Sequence, residues 1–196
     1  CTEGEWILVD AAEHIWNYRS GAEIVRGGWI AVSNPYSRND PAGHHWFYFY
    51  DNGQMAFGWL KLHDTDWYFL HEVSDGDLGT LTYGWHNDMD DGFTYYLDPV
   101  TGRMAHGWAV INDHSYYFSE MREIAGLNWF LREPGEADSS HVFGWFFKNF
   151  HRRTFGSLYR NEYTPDGHYA GADGICRISI PAVSAVPAAE MNGGGS

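Results

Sequence analysis

A chain of 196 residues is long enough for one domain or for an array of small units. Aromatic residues make up 18% of it within an ordinary 44% hydrophobic content, so packing must run through Trp, Tyr and Phe in place of aliphatic side chains. A net charge of −14 argues against nucleic acid and against an anionic membrane surface, and leaves cationic or neutral partners open. No stretch is apolar and long enough to predict a membrane span.

Cys1 admits two readings, the lipid-bearing first residue of a mature bacterial lipoprotein or a plain chain end. From there the chain repeats itself. Gly-Trp recurs at Gly28-Trp29, Gly58-Trp59, Gly84-Trp85, Gly107-Trp108 and Gly144-Trp145. Successive Trp residues of these pairs fall 30, 26, 23 and 37 positions apart. Between the pairs lie an aromatic run, a Gly turn and an apolar return, in "WFYFYDNGQMAFGW" (46–59), "WYFLHEVSDGDLGTLTYGW" (67–85) and "TYYLDPVTGRMAHGW" (94–108). A degenerate copy, "WNYRSGAEIVRGGW" (16–29), precedes them.

Each copy predicts a β-hairpin. Aromatic runs suit extended strands whose side chains alternate between faces. Gly and Asn in "DNG" (51–53) accept the positive φ of a tight turn. One hairpin is marginal in water, whereas stacked hairpins bury their rings against neighbours. The Gly before each Trp lets the backbone bend or approach closely.

This pattern resembles the cell-wall-binding repeat of Gram-positive bacteria and their phages, including choline-binding and glucan-binding modules. "TPDGHYAGADG" (164–174) resembles the segment that often closes such arrays. The resemblance covers about residues 4–176, with an irregular insertion over about 120–142, and leaves 177–196 as a linker-like tail. It implies an all-β fold, stacked β-hairpin repeats forming a left-handed β-solenoid, with ligands held between successive hairpins.

The resemblance also implies ligand cages, each with the Trp of a Gly-Trp pair, the first aromatic of the following run, an aromatic of the next hairpin and often the Met after the turn. The first would combine Trp29, Trp46 and Met55 with Trp67, although the long loop 30–44 threatens the register of Trp29. The second would combine Trp59 and Trp67 with Tyr95 or Phe93, with Leu78 in place of Met. The third has Trp85 and Met104 but Thr94 at the first-aromatic position, and the fourth has Trp108 but Ser115 there. A quaternary ammonium has no proton to donate, so ring faces hold it, at roughly 0.5–2 kcal/mol per ring. The same Trp residues also serve as plain hairpin-to-hairpin packing, and choline and glucan remain alternatives.

Other chemistry finds less support. His44 and His45 are strand neighbours and point to opposite faces, which argues against one shared metal. "NDMDDG" (87–92) fails the calcium-loop pattern at Met89 and predicts a solvated turn. No nucleophile elbow, phosphate loop or zincin motif is present, so no enzyme and no cofactor are predicted. Cys176 in "DGICRISI" predicts an inert strand residue. Lys148, Arg152, Arg153 and Arg160 form a basic stretch that balances nearby acids or meets an anionic wall polymer. The resulting expectation is a non-catalytic, extracellular binding module for choline-bearing teichoic acid or a glucan. The alternatives are a structural surface protein that contacts another protein through loops 30–44 and 120–142, and a fragment of an enzyme or lysin whose catalytic domain lies outside these residues.

Overall fold

The computed structural model describes residues 4–63, 65–120, 133–136 and 153–177. The Gly144-Trp145 copy, most of the 120–142 insertion, Lys148, Arg152, Cys1 and the tail from 178 lie outside the described residues.

Every regular element described is a β-strand. The chain opens with a three-stranded sheet of β1 (Glu5–Asp10), β2 (Ile15–Ser20) and β3 (Glu23–Ile24). Two-stranded antiparallel hairpins follow: β4 (Gly28–Ser33) with β5 (His44–Phe49), β6 (Gly58–Lys61) with β7 (Trp67–Leu70), and β8 (Gly84–Asn87) with β9 (Thr94–Leu97). After them come β10 (Gly107–Ile111) with β11 (His114–Phe118), and β12 (Glu162–Tyr163) with β13 (Tyr169–Ala170). The closing segment 164–174 is thus the turn and return of a further hairpin.

Each described Gly-Trp pair starts a strand. Gly58 takes φ +73° there, a left-handed conformation that costs glycine little, so its role is to bend the chain into the hairpin. In the first pair the positive φ of +60° moves one residue back, to Gly27. The Trp then pairs across the hairpin with a ring: Trp29 with Tyr48, Trp59 with Phe69, Trp85 with Tyr96, and Trp108 with Tyr117. Trp29 is in register despite the long loop that follows it. Trp6 pairs with Tyr18 in the same way, which makes Glu5-Trp6 an additional copy whose Gly has been replaced.

After each hairpin a short return bridges back to its second strand: Phe49 to Met55, Leu70 to Leu81, Leu97 to Met104, Phe118 to Leu158 and Ala170 to Cys176. The amide of each return residue then donates to a carbonyl of the preceding unit. Met55 donates to Trp16, Leu81 to Trp46, Met104 to Trp67, Leu158 to Thr94 and Cys176 to Ser115, at 2.8–2.9 Å. These bonds tie successive hairpins to one another in chain order. Leu158 sits far beyond Met104 in sequence because the insertion falls between the fourth hairpin and its return.

The core follows the same order. Residues i and i+1 of a strand face opposite ways, so each hairpin offers one face to its predecessor and one to its successor. Phe47 and Phe49 meet Tyr18, Trp6 and Trp16. Trp29 and Tyr48 meet Leu60 and Tyr68, and Trp59, Trp67 and Phe69 meet Tyr95 and Leu97. Tyr96 meets Ile111 and Phe118, and Tyr117 meets Ala170 and Cys176. The interior is therefore a string of small aromatic clusters, one at each hairpin junction. Cys176 is buried and its thiol pKa is raised by that burial, in keeping with an inert position.

Candidate functional site

The inter-hairpin hydrogen bonds regroup the predicted site residues. Met55 lies against Trp16 and not against Trp46, whose carbonyl instead receives Leu81. Met104 lies with Trp67, and Trp85 clusters with Tyr96 and Tyr116. Leu78 does not take the Met position of the second cage; Leu81 does, and Leu78 packs beside Met55. Trp29 and Trp46 thus share the second junction with Leu81, whereas Met55 belongs to the first and Trp67 to the third.

The first junction is the one the sequence reading passed over. Trp6 and Trp16 stand 6.4 Å apart at 83°, and Phe47 meets Trp6 edge-on at 4.7 Å and 67°. Tyr36 adds a ring 5.6 Å from Trp16. Together with Met55 and Leu78 these rings line a cavity of about 240 Å³. Its remaining walls are Asn34, Ser74 and Gly76, so no ionised side chain lines it. Rings set at steep angles around one space form a box, which suits a compact cation better than the flat platform a sugar ring needs.

The long loop after β4 builds one wall of this box. Asn34 is buried, its side-chain amide donates to the Gly76 carbonyl at 2.8 Å, and its side-chain oxygen accepts the Tyr36 amide at 3.1 Å. Trp6 is anchored from the other side by its indole N–H, which donates to the Ser33 carbonyl at 3.2 Å. The loop that threatened Trp29 in the sequence thus supplies Tyr36 and the lock that holds it.

The third junction repeats the geometry with different surroundings. Trp59 and Trp67 stand 6.3 Å apart at 77°, with Met104 in the same cluster. They border a cavity of about 430 Å³ with Lys61 and residues 133–136. Trp67 is buried. Tyr95 is fully buried 4.7 Å from Trp59, and its hydroxyl is engaged by Asp91 and Thr154. Burial first, and the Asp91 hydrogen bond second, push its phenol well above the usual range.

Asp88 departs from the solvated turn expected of it. It is buried, accepts the Trp59 indole N–H at 2.7 Å, and caps its own turn through the Asp90 and Asp91 amides. His86 stacks on Phe69 at 3.9 Å and lies 3.6 Å from the same carboxylate. At the fourth junction Thr94 is buried and its hydroxyl donates to Asn87 at 2.7 Å, while Trp85 is 42% exposed. Trp46 and Trp108 are exposed to a similar degree, and Trp108 donates to Asp166 at 2.8 Å.

Among the described residues no group of three or more His, Cys, Asp or Glu is placed to hold a metal ion. No described helix is long and apolar enough to cross a membrane. His45 is engaged by the Asp40 carbonyl at 3.0 Å. Arg153 of the basic stretch pairs with Glu162.

No family model and no curated protein sequence matches the chain. The structure is similar to that of CbpJ from Streptococcus pneumoniae TIGR4, at 28% identity over 88% of this chain and 47% of that one, with a TM-score of 0.43. It is also similar to choline binding protein F from Streptococcus pneumoniae, at 22% identity over 88% and 56% of the two chains, with a TM-score of 0.44. A third similarity is to the modular Cpl-1 endolysin complexed with a peptidoglycan analogue, at 26% identity over 60% and 29%, with a TM-score of 0.41. The chain spans about half the length of the first two.

Proposed function

We propose that this chain is a non-catalytic module that attaches to a bacterial surface polymer by holding a quaternary ammonium group, such as choline on teichoic acid, at its first hairpin junction. Its hairpins wind as a left-handed β-solenoid, and it works outside the cell at the wall. The observation that supports this best is the box of Trp6, Trp16, Tyr36 and Phe47 with Met55, which has rings on several sides and no ionised wall. A cation there gains from ring faces without competing for a hydrogen-bond donor. The chain's charge of −14 raises the local concentration of cations over anions.

Three or four rings at typical cation–π strength reach on the order of 4 kcal/mol, the free energy of a millimolar dissociation constant. Such a site is weak alone and effective on a polymer that carries many copies of the ligand. Isothermal titration with choline, and in parallel with an isomaltooligosaccharide, tests the reading. Choline is expected to bind saturably, and Trp16→Ala is expected to abolish it while near-ultraviolet circular dichroism stays native. Binding of the sugar alone would move the protein to glucan recognition. Binding of neither would leave the rings as core and turn attention to protein partners of loop 30–44.

A further inference from the structure

The first and third junctions carry the same parts, a Trp pair at about the same distance and angle with a Met in the same cluster. Trp6–Trp16 is 6.4 Å and 83°, Trp59–Trp67 is 6.3 Å and 77°, and the sulfurs belong to Met55 and Met104. They differ in their surroundings, and within the hairpins themselves at one register position. The residue paired across the hairpin from the first residue of the aromatic run is Leu8 opposite Trp16, Ala31 opposite Trp46, Lys61 opposite Trp67, Asn87 opposite Thr94 and Val110 opposite Ser115. Among these described hairpins only the third junction places a cation there.

Cross-strand partners share a face of the hairpin, so Lys61 reaches over the ring of its own partner. Its ammonium nitrogen lies 5.5 Å from the centroid of Trp67, within the range in which a ring attracts a cation. Glu133 tethers the same nitrogen at 3.5 Å. The Gly135 amide is held by Asp91 at 2.8 Å, and its lack of a side chain lets the segment close on the Trp59 indole.

We infer that Lys61 is a built-in surrogate ligand: its ammonium occupies the cation position of a second aromatic cage, formed by Trp59 and Trp67, and keeps it closed to external quaternary ammonium groups. The third junction is thus a latent binding site with the chemistry of the first, and of these two described junctions one is open where both would bind without Lys61. This inference deepens the ammonium-cage reading of the first junction and rests on it for the ligand class.

The test is isothermal titration of the whole chain with tetramethylammonium. Wild type is expected to bind one equivalent and Lys61→Gln two, with the added site of the same order of affinity as the first. Trp67→Ala in the Lys61→Gln background is expected to remove only the added site, and Lys61→Arg is expected to keep it closed. Glu133→Gln, which frees the ammonium and leaves both cage rings in place, is expected to open the junction partially and serves if Lys61→Gln does not fold. One equivalent for both wild type and Lys61→Gln overturns this inference and leaves the first-junction reading standing. No binding to wild type but one equivalent to Lys61→Gln, lost with Trp67→Ala, supports the latent site and overturns the first-junction reading. Two equivalents in wild type, one of them lost with Trp67→Ala, overturn the inference because the third junction would then be open.

Discussion

The Met55 amide donates to the Trp16 carbonyl oxygen at 2.8 Å, and this bond determines which rings share a junction with which sulfur. Met55 is drawn to the preceding unit, where Trp6, Trp16 and Phe47 surround the cavity. Trp46, nearer to Met55 in sequence, is left at a different junction with Leu81 and is 45% exposed. Trp46→Ala is therefore expected to leave the affinity of the first junction for choline unchanged, within about twofold, since it removes no wall of the cage. Titration of that variant beside Trp16→Ala separates the two placements.

Gly79 takes φ +82°, and a side chain there would run into Met55. Gly79→Ala combines a left-handed non-glycine backbone with overpacking, together roughly 2–4 kcal/mol of lost stability. It is also expected to weaken choline binding, because the Met55 sulfur must move. Gly21, also at positive φ but with open space around it, provides the control. Gly21→Ala should cost only the backbone part, and thermal melts of the two variants measure the difference.

Acid is expected to destabilise the protein through hydrogen-bonded carboxylates, of which Asp88 is buried and Asp166 exposed. Burial by itself would raise the Asp88 pKa. The nearby His86 ring and hydrogen bonds from the Asp91 amide, the Trp59 indole and the Asp90 amide outweigh it, and the carboxyl sits far below its ordinary 3.8. At Asp166, hydrogen bonding led by Thr164 lowers the pKa to about 2. A carboxyl with a depressed folded pKa stabilises the fold fully above its unfolded pKa and loses that contribution as pH falls toward the folded value. Melting temperature should therefore stay level down to about pH 4 and fall below it. Asp88→Asn should be less stable at neutral pH and lose less on acidification, as followed by Trp fluorescence.

Arg153 lies 3.7 Å over the Tyr159 ring, pairs with Glu162, and donates to the carbonyls of Ser157 and Leu158. Leu158 is the return residue of the fourth hairpin, so this guanidinium fastens the chain where it re-enters the array after the insertion. Arg153→Ala is expected to cost about 1–3 kcal/mol, reduced from a fully buried pair because the side chain is partly exposed. Arg153→Lys should recover less than half of that, since an ammonium cannot reproduce the planar fork. Denaturant unfolding checks both values.

The hairpins were legible because their signals are local. Gly-Trp marks where a strand begins, the aromatic run marks its partner, and the residues at the first-aromatic position, Trp46, Trp67, Thr94 and Ser115, are those whose carbonyls join one unit to the next. The grouping of cage residues was not legible, because it depends on bonds such as Met55 to Trp16 that cross between units. Trp6 escaped notice because Glu5 stands where other copies have Gly. Tyr36 sits in a loop whose composition carries no repeat signal, and its ring stands near Trp16 with Asn34 bonded to both the Gly76 carbonyl and the Tyr36 amide. Asp88 looked like one acid among several in a turn. Its burial comes from Trp59, on the preceding hairpin.

The most direct measurement is a crystal structure of the chain soaked with a heavy-atom choline analogue, such as arsenocholine. The ammonium-cage account predicts an anomalous peak between Trp6, Trp16 and Met55, and none between Trp59 and Trp67 while Lys61 is present. A peak at other junctions with the first one empty would contradict it.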